Sequence, residues 1–129
     1  MAPLAQNTHP LRSTALHVGF AFVAMGGWAA FANRDHGAAA MLLAFVVQGA
    51  LSGLITLVMK RGLEAGHARL TGLSARLVPP LISCAAIAVL LYGVHTLAGT
   101  PEVIRTIALP WTVSTLYAFT YVASLEHVR

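Results

Sequence analysis

Six histidines, four carboxylates and one cysteine are the side chains that could ligate a metal or shuttle protons, and their spacing assembles no familiar site. No two histidines stand at the HxxxH interval of a helical metal site. Cys84, the single cysteine, excludes an intramolecular disulfide and any multi-cysteine cluster. His17 and His95 read as lying at opposite ends of their helices, about 20 Å apart at 1.5 Å rise per residue, so they cannot clasp one haem. Serines, histidines and carboxylates are scattered without a triad that can be placed at one depth. The expectation is a protein that is not an enzyme and has neither metal nor cofactor.

Two groups of residues carry the remaining polar chemistry. Gln48 and Ser52 interrupt an apolar run, where an unpaired amide costs several kcal/mol and must find a partner, water or ligand. A hydrogen bond to Ser114 or Thr115 is the ordinary way to satisfy Gln48. The second group comes from two short loops: Asn33, Arg34, Asp35 and His36, then His95, Thr100, Glu102 and Arg105. Arg34 and Arg105 could hold a phosphate or carboxylate headgroup, and His36 and His95 could titrate beside them. Against that stands plain loop solvation, with Asp35 and Glu102 neutralising the two arginines.

The elements that must position these residues are four uncharged apolar stretches, at 15–32, 38–59, 77–98 and 107–125. All twelve Lys, Arg, Asp and Glu residues lie outside them. About 20 apolar residues is the length of a helix crossing the hydrocarbon of a bilayer. Only 9% of residues are charged, against about 25% in soluble domains, and 129 residues cannot enclose so much apolar surface in one core. Barrel strands alternate over about ten residues. These runs are longer and do not alternate. The fold class is therefore an all-α membrane protein, a single domain of four transmembrane helices arranged as two antiparallel hairpins.

Residues 1–12 read as a mobile cytoplasmic tail and 60–76 as a basic cytoplasmic loop. Arg12, Lys60, Arg61, Arg69, Arg76 and Arg129 fall on one side of such a bundle, against Arg34 and Arg105 on the other, so both termini are expected in the cytoplasm. Seven arginines to one lysine, with abundant alanine, fit a GC-rich bacterial genome and hence a bacterial inner membrane. The +4 net charge then reflects orientation rather than nucleic-acid binding. A competing reading makes Arg12, the first apolar run and Ala30-Phe31-Ala32 a cleaved signal, but the run is long for one.

Helix boundaries have local signals. Ser13 or Thr14 suits a cap, Pro79-Pro80 the first turn of the third span, and Thr100-Pro101-Glu102 the start of the fourth, with Pro110 bending it. Small residues mark contact faces in lipid: Gly49 and Gly53 on the second span, Gly19 and Gly26 on the first, Ala88 on the third. The small multidrug transporters share length and span count but need a glutamate in their first helix, which is absent here. The small fluoride channels share the topology without their glycine-rich and Asn/Phe motifs. The small proteins of lipid-linked sugar transfer resemble this chain in topology alone. The leading expectation is a protein that binds or helps translocate a lipid or lipid-linked headgroup, through Gln48, Ser52, Arg34, His36, His95 and Arg105. Its partners would be membrane lipids, with a membrane protein or a second copy possible. The alternatives are an accessory or assembly subunit of a larger membrane complex and an oligomeric small-solute channel.

Overall fold

The computed structural model describes residues 10–126, so most of the tail expected at 1–12, and Arg129, lie outside the described residues. Four helices follow one another: α1 (Pro10–Ala32), α2 (Ala38–Ala68), α3 (Gly72–Ala98) and α4 (Val103–Glu126). A single 3₁₀ turn at Arg34–His36 joins the first pair, and Gly37, at φ 93°, takes a backbone conformation that a side chain would strain. Gly99, at φ 77°, ends α3 in the left-handed conformation common one residue past a helix.

Three of these helices, α1 from Ser13, α2 and α3, are long and apolar enough to cross a membrane. α4 has the length but not the same apolarity, because Trp111, Tyr117, Tyr121 and a row of threonines and serines dilute it. The surface agrees with a lipid surround. Phe20, Val89 and Leu97 are 74%, 73% and 90% exposed, an arrangement that water would penalise.

Two clusters form the interior. Leu51, Ile55, Ile87 and Leu91 knit α2 to α3, and Leu63, Ala118 and Val122 knit α2 to α4. α1 joins through small residues. A Cβ on Gly49 would meet the Phe22 ring at 2.7 Å, one on Gly26 the Phe45 carbonyl oxygen at 2.8 Å, and one on Gly53 a Val18 methyl at 3.2 Å.

Several boundaries move. The segment 60–76 is not a loop: α2 continues to Ala68, α3 starts at Gly72, and only three residues separate them. The charges at Lys60 and Arg61 end the apolar run but not the helix, because Leu63 and His67 stay in register with α2's buried side and pack toward α4. Pro79 and Pro80 lie well inside α3 rather than in its first turn, and both are buried. Pro79 packs on Gly66, whose Cβ would lie 3.2 Å from its ring. α1 begins before Ser13 and Thr14, so neither caps it. Gly19 is exposed, with nothing within 4 Å of where its Cβ would be, so it is not a packing position. Ala88 is half-buried, beside rather than on the buried line of Ile87, Leu91 and His95.

Candidate functional site

Four polar residues of the bundle, Ser52, Gln48, His95 and Thr100, form one continuous chain of hydrogen bonds. Gln48 follows Ala44 and precedes Ser52 on the buried side of α2, and its amide nitrogen donates to Ser52 Oγ at 2.8 Å. Its Oε1 then faces His95 Nε2 at 2.8 Å. His95 Nδ1 lies 2.7 Å from the Thr100 hydroxyl. One set of donors satisfies all three contacts: Nε2–H of a neutral imidazole donates to Gln48, and Thr100 donates to Nδ1. Gln48 and His95 are fully buried, with Ser52 and Thr100 nearly so.

Gln48 is thus satisfied by His95 and Ser52, not by Ser114 or Thr115. Thr115 instead takes a weak Cys84 Sγ contact at 3.4 Å. The structure also brings together His95 and Gln48, which the sequence places in the loop group and the bundle respectively. His95 turns inward to lock α3 against α2, and Thr100, a capping candidate for α4, spends its hydroxyl on that imidazole.

The two short loops, between α1 and α2 and between α3 and α4, are riveted by Asn33, fully buried. Its amide nitrogen donates to the Ala29 carbonyl and to Thr106 Oγ1, both at 2.8 Å, while its oxygen accepts the Glu102 backbone N–H at 2.9 Å. Trp28 Nε1 adds a bond to the Arg105 carbonyl at 3.0 Å. The rim arginines do not form a clamp. Arg34 donates to the Phe31 carbonyl and lies 4.1 Å from that ring's centre. Glu102 pairs with His36 at 2.9 Å, not with Arg105, and both partners of that pair are exposed. Among the described residues no ion pair joins Arg34 or Arg105 to Asp35 or Glu102.

The opposite end of the bundle holds a cluster that the sequence reading missed. Tyr121 donates its hydroxyl to Glu64, and His67 Nε2 meets Glu126 at 2.8 Å. Both pairs tie α2 to α4. The signal was available in the spacing 48, 52, 55, 59, 63, 67, which continues one helical face straight through the basic segment.

Across the described residues every buried side-chain nitrogen and oxygen has a hydrogen-bond partner. No three histidine, cysteine, aspartate or glutamate side chains among them converge as metal ligands would. An apolar groove of about 390 Å³ lies between α2 and α3, running from Leu54 and Leu90 to Gly66 and Pro79. Its rims are exposed, so it opens sideways on the outer surface of the bundle. Compared with known proteins, the chain matches no family model, no curated protein and no solved structure.

Proposed function

We propose that this chain is a non-catalytic integral protein of a bacterial inner membrane, with all four helices crossing and both termini cytoplasmic, and that it works by binding lipid or a lipid-linked headgroup. One contrast carries the reading: the polar interior is saturated by its own side chains, whereas the large cavity is apolar and faces outward. A substrate moving through the bundle would have to break the Gln48–His95 bond with nothing held ready to replace it. A lipid binding from the side would leave that bond intact. Binding is therefore favoured over translocation, and over a channel within a single chain. α4 completes the bundle, since Ala118 and Val122 are fully buried against α2, and its tyrosines and threonines are tolerable in a helix packed on neighbours.

The accessory-subunit reading has its own support. The outer face of α4 presents Trp111, Thr112, Tyr117 and Thr120 beside Leu109, Val113 and Leu116, a mixed face suited to a protein partner as well as to lipid. Native mass spectrometry of the protein, extracted gently from its own membrane, separates the two. A recurrent adduct of lipid mass supports lipid binding. A stoichiometric protein partner without such an adduct would replace it with the accessory role.

A further inference from the structure

The α2–α3 groove exists because three positions lack bulk. Gly62, Gly66 and Ala86 face it where larger side chains would fill it. Pro79 against Gly66 closes one end, whereas a Cβ on Gly62 would meet nothing within 4 Å. Ile55, Leu63 and Ile87, all buried, form the floor. The rims are exposed: Leu54 and Val58 at 52% and 58%, Ile82 and Leu90 at 63% and 37%.

Its shape distinguishes possible occupants. From Leu54 to Gly66 the groove follows twelve residue steps of α2, about 18 Å at 1.5 Å each. A volume of about 390 Å³ spread over that length makes a narrow slot rather than a trough for a helix about 10 Å across. A single hydrocarbon chain can lie along it. A partner helix could lay a ridge of side chains over the groove but could not enter it.

Charge identifies the other end of the ligand. Arg69 follows Gly66 by three residues and Gly62 by seven, and Arg76 precedes Pro79 by three and Ser83 by seven. Helical spacing puts both on the groove's own side, just past its closed end. Both are exposed, and neither has an ion pair among the described residues. Glu64, the nearest carboxylate in sequence, turns to α4 and accepts from Tyr121. Lys60 shares this end but lies off the groove's face of α2, whereas Arg61 follows Val58 by three residues and Leu54 by seven and so stands beside the exposed rim, farther from the closed end than Arg69 and Arg76.

Resting on the lipid-binding reading above, we propose that this groove seats one acyl chain of an anionic glycerophospholipid, with its phosphate held by Arg69 and Arg76. Guanidinium forks suit a phosphate diester, and this end faces the anionic cytoplasmic leaflet in the orientation proposed here. The acyl chain supplies retention and the arginines supply headgroup choice.

The test uses the full-length protein in detergent with equimolar phosphatidylglycerol and phosphatidylcholine of matched chains, read by native mass spectrometry. Wild type should retain one lipid and prefer phosphatidylglycerol roughly tenfold or more. In Arg69→Gln/Arg76→Gln the preference should fall toward unity while total retained lipid is kept. Gly62→Leu, which extends into open space and should stay folded by circular dichroism, should lose both lipids. Preference unchanged in the double variant, or retention unchanged in Gly62→Leu, overturns the proposal. Equal retention of both lipids by wild type overturns it while leaving lipid binding intact; retention of neither removes the broader reading as well. A dimer abolished by Gly62→Leu would make the groove a helix-docking surface and overturn it too.

Discussion

Replacing Gln48 by leucine and His95 by leucine, singly and together, measures whether the buried polar chain holds α2 to α3. In Gln48→Leu, His95 Nε2–H loses its acceptor inside a fully buried setting. An orphaned buried donor costs about 1–3 kcal/mol, although interhelical bonds in membranes average nearer 0.6 and reach about 1.7. Ser52 loses less, because its hydroxyl can turn to the carbonyl four residues back. The expected loss is about 1–2 kcal/mol. His95→Leu strands Gln48 Oε1 and the Thr100 hydroxyl together and should cost about 2–3 kcal/mol. The double variant removes both the stranded donor and the stranded acceptor, so it should be less damaging than the sum, with a coupling of about 1–1.7 kcal/mol. Reversible unfolding in mixed micelles of rising dodecyl sulfate fraction, followed by helicity, gives all four corners of the cycle. Additivity within about 0.5 kcal/mol would refute the argument, since it would mean that the two side chains do not meet. Lipid retention should not change in either single variant. A loss of lipid in Gln48→Leu, with the fold preserved, would restore the bundle interior as the binding site.

Other expectations follow from single contacts. Gly26→Ala should destabilise the bundle by about 1–3 kcal/mol, because its Cβ would strike a backbone oxygen that cannot move aside. Gly19→Ala, in open space, should not, and equal melting temperatures for the two variants in detergent would contradict the α1–α2 packing. Asn33→Ala should cost on the order of 2–4 kcal/mol by releasing both loops, whereas His36→Ala, which removes only an exposed pair, should stay within about 1 kcal/mol. The reverse order in chemical unfolding would show that the loops are joined by His36–Glu102. Nitrogen NMR of labelled His95 should report the neutral Nε2–H tautomer; the Nδ1–H tautomer would mean that the Gln48 amide is reversed.

What was legible in the sequence tracks what solvent enforces. Uninterrupted apolarity marks where lipid lies, so α1, α2 and α3 were visible as spans. It says little about where helices stop, because a helix continues into water whenever tertiary contacts hold it. α2 therefore outran its apolar stretch by nine residues, carried by Leu63 and His67 against α4. Pro79 was misplaced for a related reason. A proline is costly inside a helix only when the freed carbonyl and the displaced ring go uncompensated, and Gly66 on the neighbouring helix leaves room for that ring.

The site was harder to read because residue type locates polarity but not its partner. Gln48 announces a need for hydrogen bonds, and at least three residues at comparable depth could have met it. The choice of His95 depends on the relative stagger of α2 and α3, which no local spacing encodes. The same stagger decides the groove. Gly62 and Gly66 read as ordinary helix residues until Pro79 is set against Gly66 and Gly62 is left facing nothing. Closing the polar chain and opening the groove are therefore two consequences of one α2–α3 alignment. Polar groups that satisfy one another fix that alignment without using the bundle's outer surface, which leaves the outward face free to take a ligand from the bilayer. A variant that slid α3 by one turn would break the His95–Gln48 bond and displace Pro79 from Gly66 together.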